Sequence, residues 1–140
     1  MRRIRSKDTA PELIVRRHLR TLGFTGYRLH RKELPGKPDI VFIGKRKAIL
    51  VHGCFWHGHD CKEGIRKPRS NQEYWTRKIE GNRERDESRI AELRQMGWTV
   101  LTVWECELRD TEALQLKLHT FVMGAEDGGS RTLKEARENR

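Results

Sequence analysis

Apolar residues recur at helical spacing from Leu13 through Ile14, His18, Leu19 and Leu22, and Gly23 closes the run. Thr9-Ala10-Pro11-Glu12 supplies a start signal: an N-cap hydroxyl, a proline in the first turn and a glutamate at the reciprocal capping position. The pattern predicts a helix over residues 10–22. Residues 24–32 carry aromatics in partial alternation with polar positions, which predicts a strand. Leu34-Pro35-Gly36-Lys37-Pro38 is a turn. Two apolar runs, 40–43 and 48–51, are parted by Gly44-Lys45-Arg46, so residues 39–52 are expected to form a hairpin of strands buried on both faces.

Residues 53–61 read as irregular chain, and 62–70 as a basic loop broken at Pro68. No proline interrupts 71–96 and Gly97 ends it, so a long helix is expected there. Its middle, 76–89, holds Ile79 as its one clearly hydrophobic residue, so there is no stripe to bury. Such a face is either solvated or fronts a charged ligand; Arg77, Lys78, Arg83, Arg85 and Arg89 suit the second reading. A fourth strand is expected over 98–105, with Cys106 just past its end. A short amphipathic helix over 111–123 turns Leu114, Leu118, Phe121 and Val122 inward. The order helix, three strands, helix, strand, helix gives an α/β fold, a mixed β-sheet flanked by helices. One domain over 1–123 is expected, opened by a basic arm at 1–7 and followed by a tail, 124–140, whose glycine and charge content predicts disorder.

Charge adds a partner. Lysine and arginine number 30 against 20 acids, a net charge of +10, with a pI near 10.0. An excess of that size on a small domain fits a polyanion, and nucleic acid before simple solubility. No apolar run is long enough to span a bilayer and none resembles a signal peptide, so a cytoplasmic protein with reduced thiols is expected.

Three cysteines make a poor disulfide framework. Two of them fall in Val51-His52-Gly53-Cys54-Phe55-Trp56-His57-Gly58-His59-Asp60-Cys61, and Cys106 is the third. Cys54, His59, Cys61 and Cys106 would complete a tetrahedral Cys₃His zinc site of structural type. The competing reading crowds all three histidines round the ion. In the first reading His52 and His57 are spare, and a histidine titrating near neutrality is suited to deprotonating a water. Asp39, at a strand start beside a turn, could hold Mg²⁺ with substrate phosphates, or could simply cap the turn. Phe55 and Trp56 could wedge between base steps, or pack over the sheet.

The blocks Lys7-Asp8-Thr9-Ala10-Pro11-Glu12, Leu34-Pro35-Gly36-Lys37-Pro38-Asp39, His52-Gly53-Cys54-Phe55-Trp56-His57 through Cys61, Tyr74-Trp75 with Lys78-Ile79 and Asn82, Glu84-Arg85-Asp86, and Val103-Trp104-Glu105-Cys106 resemble the very short patch repair endonucleases. Those bacterial enzymes nick one strand beside a T:G mismatch in double-stranded DNA. The resemblance spans about residues 4–123 and implies a restriction-endonuclease-like fold. It implies that Asp39 and the Val51 carbonyl hold catalytic Mg²⁺. His52 and His57 would be the catalytic histidines, His57 the base, with Asp86 orienting it and Glu12 in the outer surroundings of the metal. Phe55, Trp56 and Trp75 match aromatics inserted beside the mismatch, Lys78 and Asn82 match positions facing bases, and Cys54, His59, Cys61 and Cys106 match the zinc ligands. Leu50-Val51-His52 stands where the wider nuclease superfamily carries acid-x-Lys, which speaks against a conventional restriction enzyme. Family members usually carry a further basic segment before Arg5; without it a weaker clamp on the duplex is expected. A monomer is expected, with other mismatch-repair proteins as a second class of partner. The alternatives are a strand-specific nickase with another sequence trigger and a non-catalytic zinc-bound DNA-binding module.

Overall fold

The computed structural model describes residues 9–65 and 69–124. The basic arm at 1–7, Pro68 and the tail beyond Gly124 lie outside the described residues. The helices are α1 (Ala10–Thr21), α2 (Lys62–Ile65), α3 (Gln72–Gln95) and α4 (Thr111–Met123). The strands are β1 (Arg28–Leu29), β2 (Ile40–Phe42), β3 (Lys47–His52) and β4 (Thr99–Trp104), and a 3₁₀ turn, Glu105–Arg109, follows β4. Among the described residues no helix is long and apolar enough to cross a membrane.

The four strands form one sheet in the order β1-β2-β3-β4. β1, β2 and β3 pair antiparallel, and β3 pairs β4 in parallel, so the sheet is mixed as expected. The crossover between β3 and β4 carries α3, the usual way to join parallel neighbours. Ile49 and Val103 point to one face, where Val15 and Leu19 of α1 and Leu114, Leu118 and Val122 of α4 close the core. Each such fully buried side chain contributes roughly 1.5–3 kcal/mol. Leu50 and His52 alternate to the other face, where Leu93 and Arg89 of α3 meet them.

Several expectations need correction. The strand over 24–32 shrinks to Arg28–Leu29, because Gly26 at φ +84° and His30 at φ +49° take the chain out of the extended region on both sides. The buried stripe of α1 is Glu12, Val15 and Leu19, while Leu13 is 40% exposed. Ile43 is also exposed, as the β2 ladder ends at Phe42. The loop expected over 62–70 begins with the single helical turn of α2. The 3₁₀ turn was not legible in the pattern; the Glu107 carboxylate accepts from the Trp104 N–H at 2.7 Å and holds it.

Lys47 is buried at the start of β3. Its Nζ donates to the carbonyls of Phe121, Val122 and Gly124 at 2.6, 3.1 and 2.9 Å. A helix leaves its last carbonyls without partners, and here a lysine from the sheet satisfies those of α4.

Candidate active site

β3 and β4 run in register to a common end, with His52 opposite Trp104. Parallel neighbours release their chains at the same edge of the sheet, so the loop 53–61 and the 3₁₀ turn emerge side by side. That is why Cys106, distant in sequence, reaches the first cysteine of the loop.

The donor atoms of Cys54, His59, Cys61 and Cys106 all lie within 4.8 Å of one another. Cys106 Sγ stands 3.6 Å from His59 Nδ1, and the Cys106 N–H donates to Cys54 Sγ at 3.4 Å. Tetrahedral bonds of about 2.0–2.3 Å place ligand atoms about 3.5 Å apart, so this cluster fits one four-coordinate ion. Burial pushes the Cys54 thiol up to about 12, and burial also raises Cys106. Thiols held in such surroundings ionise when a cation joins them. His59 is fixed in place by stacking on Trp104, with centroids 4.2 Å apart and planes 12° from parallel. Neither His52 nor His57 belongs to this cluster.

His57 sits between Cys54 and His59 in the chain, yet its ring turns the other way. Its Nδ1 lies 2.5 Å from Asp86 Oδ2 of α3. The His52 ring stacks on it at 3.8 Å, nearly parallel, and packs edge-on to Trp104. Burial is the main cause that lowers His52 to about 4; His57 adds to the effect and Asp86 opposes it. Gly58 lets the loop press onto α3: its φ is +64°, and a Cβ there would stand 2.6 Å from Arg83 Cδ and 2.7 Å from Ile79 Cγ2.

Asp39 lies one residue before β2, and its Oδ2 accepts from the Val51 N–H at 2.8 Å. Its carboxyl is pushed up to about 6, chiefly by burial and further by Glu12, while the Val51 N–H, His30 and His57 pull the other way. Glu12, at the start of α1, is 1% exposed. Thr9 Oγ1 caps the Glu12 N–H as expected, but the Glu12 carboxylate is turned onto Arg16 Nη1 at 3.2 Å and His30 Nε2 at 2.7 Å. Glu12, Asp39, Val51, His52, His57 and Asp86 line one cleft of about 510 Å³.

Phe55, Trp56 and Trp75 are not among the residues packed against the core cluster. They pack on each other with centroids 5.1–5.6 Å apart, and Trp56 reaches the cleft. Lys78 is exposed on α3 and shares a shallow groove with Tyr74, Arg77 and Arg85. Asn82 differs: its Nδ2 donates to the Trp56 carbonyl at 2.8 Å, and its Oδ1 accepts from Arg85. It braces the aromatic loop.

His30, which the sequence reading did not single out, stands behind the cleft, bonded to Glu12. The sequence alone carries no signal for it: β1 pairs β2 with Leu29 opposite Ile40, and only that register sets His30 opposite Asp39.

The family model described as DNA mismatch endonuclease Vsr matches residues 1–63. The chain is 50% identical over 122 residues to the type II nicking enzyme V.XorIIP of Xanthomonas oryzae, covering 87% of this chain and 88% of that protein. It is 42% identical over 127 residues to the type II nicking enzyme V.NmeAIP of Neisseria meningitidis, covering 91% and 89%. It is 43% identical over 129 residues to the DNA mismatch endonuclease Vsr of Escherichia coli, covering 89% and 81%.

Proposed function

Since the chain belongs to the DNA mismatch endonuclease Vsr family, we propose that it nicks one strand of duplex DNA beside a T:G mismatch, with Mg²⁺ in the Asp39 cleft and zinc in the Cys₃His cluster. One observation carries this reading: the His57–Asp86 pair and Asp39 open on one cleft, while the sulfur ligands gather apart from it. A sheet with three antiparallel strands, a fourth in parallel and helices on both faces agrees with a restriction-endonuclease-like fold. The protein works in the cytoplasm as a monomer.

Zinc suits three thiolates and an imidazole, and Mg²⁺ suits carboxylate and carbonyl oxygen. Asp39 and the Val51 carbonyl would hold Mg²⁺, which when bound neutralises charge on the scissile phosphate. The Val51 N–H orients the Asp39 carboxylate toward the cleft. Asp86 accepts from His57 Nδ1, and this leaves Nε2 with its lone pair free to take a proton from the attacking water. His52, buried and uncharged, walls the cleft and fixes the His57 ring plane by stacking.

Phe55, Trp56 and Trp75 present a wedge braced by Asn82, and Lys78 with Arg77 and Arg85 holds the phosphate backbone alongside. Base–aromatic stacking is worth about 1–3 kcal/mol. Trp56→Ala is therefore expected to cut the preference for mismatched over paired DNA by about tenfold or more. Competition binding with the two duplexes checks this, and an unchanged preference would remove Trp56 from recognition.

The reaction itself is tested by incubating the protein with Mg²⁺ and a library of paired and T:G duplexes and mapping the nick. A single cut beside the mismatch is expected. Equal cutting of paired DNA would favour a strand-specific nickase with another trigger, a reading that draws on the relatives named type II nicking enzymes. Salt-sensitive binding with no cut would leave a DNA-binding module.

A further inference from the structure

Glu12 enters the cleft from α1 as a nearly inaccessible carboxylate, 1% exposed. A side chain so buried must have its oxygens committed, and its geometry is set by what holds them. Arg16 reaches Oε2 from one turn further along the same helix, at 3.2 Å. The second partner comes from a different element. His30 Nε2 lies 2.7 Å from the same Oε2, and it stands outside the residues that line the cleft.

Two further observations tie His30 to Asp39. Its backbone N–H donates to the Asp39 carbonyl at 3.1 Å, one step beyond the β1–β2 ladder. Its φ of +49° is a left-handed conformation that a non-glycine residue rarely adopts. That conformation ends the strand and lets one residue bond the Asp39 main chain while its ring meets Glu12. Donor atoms of Glu12, His30 and Asp39 fall within 4.8 Å of one another.

We propose that His30 is a positioning residue, which sets the Glu12 carboxylate against Asp39 and so fixes the shape of the divalent-cation site. It touches neither DNA nor the reacting atoms. This rests on the reading of the Asp39 cleft as a Mg²⁺ site. The partners of metal-holding carboxylates typically account for about 10- to 100-fold in metal affinity or activity. Glutamine at position 30 can still donate to Glu12; alanine cannot.

The test compares wild type, His30→Gln and His30→Ala in full-length, zinc-loaded protein. Three quantities are read: Mn²⁺ affinity by calorimetry, the Mg²⁺ concentration for half-maximal nicking, and nicking at saturating Mg²⁺. His30→Ala is expected to weaken Mn²⁺ binding and raise the half-saturating Mg²⁺ about tenfold or more. Nicking at saturating Mg²⁺ should stay within about threefold, and His30→Gln should return both metal readouts to within about threefold of wild type. Unchanged metal dependence in His30→Ala would overturn the proposal. So would equal loss of Mn²⁺ affinity in His30→Ala and His30→Gln, or a fall in saturated rate with no change in metal affinity. Asp39→Ala separates the two levels. If that variant nicks normally, the cleft reading itself fails; if it is inactive while His30→Ala binds Mn²⁺ like wild type, only the His30 proposal fails.

Discussion

Asp39→Asn is expected to lower nicking by about 10³-fold or more, and to raise the melting temperature of the magnesium-free protein at neutral pH. The loss follows from chemistry: a neutral amide is a poor partner for Mg²⁺, and the ion's charge stabilisation is worth several kcal/mol. The gain follows from burial. The folded carboxyl is pushed up to about 6, mainly by burial, above its ordinary value of 3.8. The folded chain thus binds more protons than the unfolded chain between those values, and stability falls as pH rises through that window. Above about pH 6 the whole penalty is present, on the order of 1–3 kcal/mol. Asparagine carries no charge, and its Oδ1 can still accept from the Val51 N–H. His52 contributes in the opposite sense. Its pKa is lowered from 6.5 to about 4, so its share of stability is full above 6.5 and is lost as pH falls toward 4. In wild type the two slopes oppose one another, and the stability profile should be shallow near pH 5. In Asp39→Asn only the histidine slope survives, so stability should climb from pH 4 to 6.5. Thermal melts across that range in magnesium-free, zinc-containing buffer check both signs. A lower melting temperature for Asp39→Asn at pH 7.5 would contradict the assignment of a penalised, function-bearing carboxylate.

Cys106→Ala is expected to have the largest effect on the fold. The Cys₃His donors come from the loop after β3 and the turn after β4, so an ion among them ties the two strand ends together. Structural zinc sites of this kind have apparent binding free energies of about 10–16 kcal/mol, comparable to the whole stability of a domain. Without Cys106 the remaining three donors would hold the proposed zinc weakly, and the loop 53–61 would lose its fixed path. His57 lies within that loop and would leave Asp86, so nicking should vanish together with cooperative melting. Zinc content, near-ultraviolet circular dichroism and nicking measured on the purified variant read this directly. A variant without zinc that melts within a few degrees of wild type would show that the cluster is dispensable to the fold.

What the sequence revealed was mostly local. Thr9 as a cap, the turn at 44–46, Gly97 and the apolar stripe of α4 each act within a few residues, and the structure places them as expected. The metal cluster was legible for another reason: with three cysteines in the chain, a four-donor set has few possible members. The parallel β3–β4 pairing that brings Cys106 beside Cys54 has no local mark, nor does the reach of Lys47 to the end of α4. His30 carries no local mark: it stands just past β1, and its place opposite Asp39 follows only from the β1–β2 register. Glu12 reads from sequence both as a cap and as a neighbour of the metal; its carboxylate is held by Arg16 one turn on and by His30 from another element, and only the first of these partners is legible locally.

The proposed division of labour gives one ion to sulfur and a single imidazole, while two neighbouring imidazoles face the aspartate cleft. The most direct test measures tightly bound zinc and nicking of a T:G duplex on the same preparations of wild type, Asp39→Asn, His57→Ala and His59→Ala. Asp39→Asn and His57→Ala should each retain one zinc per chain, with the His57 variant slowed by about 10²–10⁴, and His59→Ala should lose zinc. Loss of zinc from His57→Ala, or wild-type nicking by either of the zinc-retaining variants, would contradict it.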